Sequence, residues 1–265
     1  MSRLARIKTP DGGVFHATVR PEGAYALIEG DLFGEWRVTD RVVPPERATL
    51  LAPVAPPNVL AIGLNYRAHA KESGHPLPER PVLFIKANTA VCGPDDAIVL
   101  PREAPDEVDY ECELAIVVGK RAKHVGEDEA LDYVLGYTCA NDVSARDCQL
   151  RLDAQWARGK SFDTFAPMGP WIETDLDADN ARIRTRLNGR VMQDSRTNDL
   201  IFSCAQLVSY LSQSLTLLPG TVIMTGTPSG VGFARKPPVF LRAGDTVEVE
   251  IDGIGTLRNT VVVED

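Results

Sequence analysis

The chain has 265 residues, of which 44% are apolar and 25% charged, the balance of an ordinary globular protein of one catalytic domain with a small appendage. Lys plus Arg number 28 against 37 Asp plus Glu, a net charge of −9, which argues against a nucleic-acid surface or an anionic membrane as partner. A small anionic substrate stays compatible, because a site can be locally positive.

In chain order, residues 1–52 read as a small N-terminal β domain. "RLARIKT", "VFHATVR" and "YALIEG" are alternating segments split by "PDGG" and "PEGA" turns. The Pro-rich "APVAPPNVL", with Pro53, Pro56 and Pro57, reads as the linker to a larger domain over 58–265. Strands are expected there at 59–63, 82–86, 98–100, 111–118, 135–141, 181–187, 222–225 and 247–251. The last should pair with "TLRNTVVV" across "DGIG". Helices are few. "GEDEALDYVLG" should end at Gly136, "SARDCQLRLDAQW" opens on a capping pattern of Ser144 and Asp147, and "SCAQLVSYLSQS" offers Ser203 as a cap. The fold class is α+β, mainly β, with an antiparallel or mixed sheet. No strand runs through a Gly-rich loop into a helix, so a dinucleotide fold is rejected.

No apolar run approaches the ~20 residues of a membrane span. The N-terminus carries no apolar signal core. The five cysteines are scattered, with no C-x-x-C pair, which suits reduced thiols in a cytoplasm.

The candidate chemistry begins in "VDYECELAIVVG". Glu111 and Glu113 are two apart, so on a strand they share one face. Two like charges there need either water or a neutralising cation. A solvated strand end is the bland reading. The second apolar strand, "VLGYTCAND", ends on Asp142, and two neighbouring strands would gather Glu111, Glu113 and Asp142. Three carboxylates favour a hard cation such as Mg²⁺, with Mn²⁺ or Ca²⁺ as alternatives, and leave coordination positions for substrate. A helix after Asp142 would turn its positive end to the ion. It would set Arg146, Gln149 and Asp153 on one face, where Arg146 and Gln149 could clamp a carboxylate and a carbonyl.

Four blocks resemble the fumarylacetoacetate hydrolase family: "IGLNYRAHAKE", "VDYECELAIVVG", "GYTCANDVSARDCQ" with "GKSFDTFAPMGPW", and "LPGTVIMTGTPSGVG". The resemblance implies a rolled, mixed β-sandwich, usually dimeric, with the metal on Glu111, Glu113 and Asp142. It implies that Lys160 stabilises developing negative charge and that Arg146, Gln149 and Thr227 contact substrate. His69 and Glu72 match a His-x-x-Glu pair that activates water in the hydrolytic branch. The chemistry agrees, since an imidazole takes the proton and the carboxylate orients it. "SGHPLPERPV" reads as a lid, with His75 a weaker candidate base, and Phe233 and Arg235 as choosers of the substrate's distal half. His16 and His124 read as structural or surface residues.

The expected activity is Mg²⁺-dependent hydrolysis of a C–C bond in an acylpyruvate, such as fumarylpyruvate or acetylpyruvate. The alternatives are a decarboxylase or isomerase of 2-oxo-heptenedioates from aromatic breakdown, or an oxaloacetate decarboxylase. A metal-binding protein without activity is the minor reading.

Overall fold

The structure is a computed structural model that describes residues 2–264. Two β-sheets carry the fold. Along the main path of the larger one the order is Trp36–Val43, Tyr25–Gly30, Val14–Val19, Arg3–Lys8, Ala166–Glu173, Val134–Asn141, Cys112–Val118, Val222–Met224, Val59–Gly63 and Val82–Lys86. Most neighbours are antiparallel, but Val222–Met224 runs parallel to Val59–Gly63, so the sheet is mixed. The second sheet runs Arg190–Arg196, Arg182–Leu187, Thr246–Ile251, Gly255–Val263 and Ala97–Leu100.

The two sheets share one core. Leu114, Ile116 and Val118 of the first meet Ile183, Val249, Ile251 and Leu257 of the second. Leu207, Val208 and Leu211 of the helix Cys204–Ser214 close the same cluster. On the other face, Ala115 and Val117 pack with Val59, Met224, Leu4 and Leu32. The Cys112–Val118 strand is therefore buried on both faces, which explains its unbroken apolar run. The chain is a mainly β, mixed sandwich, as its sequence leads one to expect.

Each strand expected in 58–265 is present to within a residue or so, and the "DGIG" hairpin forms between Thr246–Ile251 and Gly255–Val263. Ser203 caps its helix through a reciprocal pair with Gln206. Two helices differ from expectation. In "GEDEALDYVLG" only a short 3₁₀ turn, Ala130–Tyr133, forms. Gly136 lies in the next strand, where a Cβ would stand 2.4 Å from the Glu173 carbonyl, so it permits close strand approach rather than ending a helix. In "SARDCQLRLDAQW", Ser144–Ala145 pairs with Val108–Asp109 as a short ladder. Ser144 Oγ donates to the Asp142 carbonyl at 2.8 Å, so no capping box exists. A helical turn begins only at Arg146 and widens over Cys148–Leu152. That turn is too short for a strong dipole argument at the acids. The strands Trp36–Val43, Ala166–Glu173 and Arg190–Arg196 were not anticipated.

Candidate active site

Strand register builds the acidic triad. Cys112 pairs with Asn141, so Glu111 stands opposite Asp142, whose N–H donates to the Glu111 carbonyl at 2.9 Å. Alternation returns Glu113 to the same face. One carboxylate oxygen from each of the three lies within 4.8 Å of the others. Glu111 is 5% exposed, Glu113 1% and Asp142 1%, which rules out a solvated strand end.

Cations surround two of the three. Lys160 Nζ donates to Glu111 Oε2 at 2.9 Å and to Asp142 Oδ2 at 2.7 Å. Lys86, fully buried, holds the other Asp142 oxygen. Arg146 Nη2 stands 2.6 Å from Glu111 Oε1. Among the described residues, Glu113 has as hydrogen-bond partner only the Gly226 N–H, at 2.8 Å. Burial pushes Glu111 up, yet Lys160 and then Arg146 pull it down to about 2. Burial, then Asp142 and Glu111, push Glu113 well above the usual carboxylate range.

This imbalance tests whether a metal ion suits the site. With Asp109, four buried carboxyl groups face three buried cations, Lys86, Lys160 and Arg146, so one carboxyl, that of Glu113, is left without a cation and keeps its proton. Oxygens around an octahedral Mg²⁺ stand about 3–4 Å apart, near the spacing of the triad. The residues fit a hard divalent cation, which would relieve Glu113 and leave the site one positive charge in excess.

The remaining expected residues converge on one cavity of about 230 Å³. The triad, Lys160, Arg146, Gln149, Thr227 and His69 all line it, with Phe84, Trp156 and Phe233 as aromatic wall. Glu72 stands behind His69, its Oε2 3.2 Å from Nδ1. Gln149 accepts from Arg146 Nη1 at 2.8 Å, leaving its amide NH₂ as the group that can donate. Thr227 Oγ1 accepts from Gln193 at 2.8 Å and keeps its own proton to give. Ser73 and His75 of the expected lid also reach the cavity.

Two assignments need correction. Arg235 does not line the cavity; it ties the Gly230 and Met192 carbonyls and Tyr110 together. Asp153 turns away to pair with Arg158 at 2.8 Å. The "TGTPSGVG" turn does more than its hydroxyl suggested. Its successive N–H groups hold the acids of the site: Gly226 holds Glu113, Gly230 holds Glu72 at 2.9 Å, and Gly232 and Phe233 hold Asp109. Gly226 is required, with φ +102° and a would-be Cβ 2.8 Å from Asn65 Cβ.

Lys86 and Asp109 were missed. Asp109 was legible, because D-x-E-x-E continues the same alternation one step back. Lys86 ends the apolar strand Val82–Lys86, and the only local signal was a lysine fully out of place on a buried end.

The mixed β-sandwich gathers around one cavity a buried carboxylate triad that could hold a metal ion, a lysine and a His–Glu pair. Residues 58–262 match the family model "Fumarylacetoacetate (FAA) hydrolase C-terminal", and residues 2–53 match "Rv2993c-like, N-terminal". The chain belongs to the fumarylacetoacetate hydrolase family. It is 45% identical over 225 residues to the Rattus norvegicus protein named oxaloacetate tautomerase Fahd2a, mitochondrial, covering 83% of this chain and 72% of that one. It resembles the crystal structure of 2-hydroxyhepta-2,4-diene-1,7-dioate isomerase from Mycobacterium marinum, with a TM-score of 0.89 and 42% identity over 100% of this chain and 99% of that one. It resembles equally 5-carboxymethyl-2-hydroxymuconate delta-isomerase from Mycobacterium smegmatis, with a TM-score of 0.89 and 46% identity over 99% and 100% of the two chains.

Proposed function

We propose that the protein is a metal-dependent tautomerase or isomerase that moves a proton between the 2-hydroxy-2-enoate and 2-oxo forms of a short dicarboxylate, oxaloacetate foremost. The observation that carries this reading is the His69–Glu72 pair, clamped by Gly230 beside the acidic triad in one cavity. The relatives named above bear tautomerase and isomerase names, which favours a proton shift over the expected C–C hydrolysis.

Glu111, Glu113 and Asp142 would hold Mg²⁺, with Mn²⁺ or Ca²⁺ also suited to oxygen ligands, and the bound ion supplies Lewis-acid polarisation of the C1 carboxylate and C2 oxygen. Glu72 engages His69 Nδ1, so Nε2 is the atom that takes the proton from C3 of the 2-oxo form and delivers it to the C2 oxygen of the enol, and it carries the proton the other way in the reverse direction. Glu72 orients the ring and stabilises the imidazolium. Lys160 offsets charge on the enolate oxygen. The remaining donors of Arg146, Gln149 and Thr227 receive the substrate carboxylates. Phe84, Trp156 and Phe233 exclude water, which keeps the enolate from side reactions. We also propose that the chain works as a homodimer, as the family resemblance implies. Exposed Leu83 and Ile85 on the edge strand Val82–Lys86 support this, and sedimentation at a monomer's mass would reject it.

The test is a product-resolved assay with Mg²⁺ or Mn²⁺. The decay of enol-oxaloacetate absorbance should accelerate without CO₂ release. Acetate plus pyruvate from acetylpyruvate at a higher rate would return the assignment to C–C hydrolysis, and CO₂ from oxaloacetate would make it a decarboxylase. Metal binding with no turnover of any 2-oxo acid would leave a binding protein.

A further inference from the structure

The proton-shift chemistry gives no task to Asp109, the buried acid two residues ahead of the triad. It is fully buried and makes no contact with the cavity, yet its carboxylate is saturated with partners. Oδ1 accepts the N–H groups of Tyr110 and Gly232, each at 2.8 Å. Oδ2 accepts the Phe233 N–H at 3.0 Å and Arg146 Nε at 2.9 Å, with Arg146 Nη2 at 2.8 Å. The loop can come this close because residue 232 is glycine: a Cβ there would stand 2.4 Å from Asp109 Oδ1 and 2.0 Å from the Val239 carbonyl.

Two cavity walls hang from this one carboxylate. The Arg146 guanidinium is held edge-on by Asp109, and the Phe233 ring lies against its face, 4.4 Å from the ring centroid. A guanidinium has five N–H groups. Nε donates to Asp109 and Nη1 gives one N–H to Gln149, while Nη2 stands at ion-pair distance from the Asp109 and Glu111 carboxylates without a well-formed hydrogen bond. Nη1 keeps one N–H for the cavity, and its direction depends on how Asp109 holds the plane.

We propose that Asp109 is a positioning residue for substrate binding, acting through Arg146 and the Phe233 backbone to fix the wall that receives a substrate carboxylate. This rests on the reading of the cavity as a 2-oxo-acid site. A purely structural ion pair would lower stability when broken but would not couple to Arg146 in substrate affinity.

The experiment is a double-mutant cycle of Asp109→Asn and Arg146→Gln, read by KM and kcat for enol-oxaloacetate and by calorimetric binding of oxalate, a planar dicarboxylate, to the Mg²⁺-loaded chain. Asp109→Asn alone should raise KM about tenfold and leave kcat within about threefold. In the Arg146→Gln background it should add less than about twofold, because its effect runs through the missing guanidinium. Effects that multiply in full, or oxalate binding as tight as the parent's, overturn the proposal. If Asp109→Asn alone does not fold, the double variant, with no unpaired charge left at the pair, is compared with Arg146→Gln, and a further rise in oxalate Kd overturns it. A parent that binds oxalate but turns over no 2-oxo acid sinks the functional reading alone, and the oxalate cycle still decides the role of Asp109.

Discussion

Glu113 is the residue where the electrostatics of the site are most exposed to measurement. Burial, Asp142 and Glu111 raise its pKa well above the ordinary carboxylate range, so the metal-free chain holds a proton there that the unfolded chain has lost. Between the ordinary value and the raised one, the native state binds more protons than the unfolded state, so metal-free stability falls as pH rises through that window. Metal uptake must displace the same proton. Apparent Mg²⁺ affinity should therefore strengthen with pH, and calorimetry in two buffers of different ionisation enthalpy should detect proton release; equal heats in both would refute it. Glu113→Gln should weaken the ion by at least about 100-fold, since a ligand oxygen outweighs its supporting groups. His69→Ala should behave oppositely, keeping Mg²⁺ affinity while kcat falls about 10²–10⁴-fold. Loss of metal together with activity in that variant would remove His69 from the role of base. At this scale the triad was legible, because strand alternation alone places Glu111 and Glu113 together and Asp142 ends the next apolar run. Lys86 was not legible, because its partner lies 56 positions away and only the fold joins them.

Elements follow the sequence where local signals agree with tertiary pairing and depart where pairing wins. Ser203 and Gln206 are three residues apart and satisfy each other, so the capping box could be read directly. Ser144 and Asp147 have the same spacing, but the ladder with Val108–Asp109 claims Ser144 first. Ala166–Glu173 was hidden by Pro167, Gly169 and Pro170, which read as breakers. The strand tolerates them at an irregularity, since its register against Val134–Asn141 shifts between Tyr137 and Cys139. Five of the seven residues of Arg190–Arg196 are polar, as suits an edge strand, where charge protects against stray pairing. The cap supplies a prediction. Ser203→Ala removes one side of the box and should cost about 1 kcal/mol. For a chain of this size that is roughly 2–4 °C in Tm. The helix lies against the core rather than the cavity, so kcat at 25 °C should be unchanged; a loss of activity without a Tm shift would show that the helix does more than pack.

At the scale of the whole molecule, the question is whether residues 1–52 form a domain of their own. The Pro-rich stretch read as a linker separates them in sequence, and separate family models match 2–53 and 58–262. Hydrogen bonds join this small N-terminal β unit to the larger one. Arg3 and Leu4 pair with Glu173 and Ile172, so the first strand continues the sheet that carries the triad. Leu4, Ile28 and Leu32 share a buried cluster with Val59, Ala61, Val117 and Met168. The unit has a small cluster of its own, Ala5, Ile7, Ala17, Tyr25 and Leu27, but a segment of about 50 residues buries too little surface to be robust alone. Removing residues 1–52 would strip three large aliphatic side chains from the main core. At about 1.5–3 kcal/mol each, that is roughly 5–9 kcal/mol. A whole domain has only about 5–15 kcal/mol of stability, so the loss is comparable to everything available. The cut would also bare the outer edge of Ala166–Glu173, an unpaired strand that invites association between chains. The shortened chain should therefore aggregate, or melt without cooperativity, and should not bind Mg²⁺ at parent affinity. Thermal melts, sedimentation and calorimetry on that chain check this. A soluble product with a sharp melt and an intact metal site would establish 58–265 as an independent domain, and would mean that the shared sheet adds reach rather than stability.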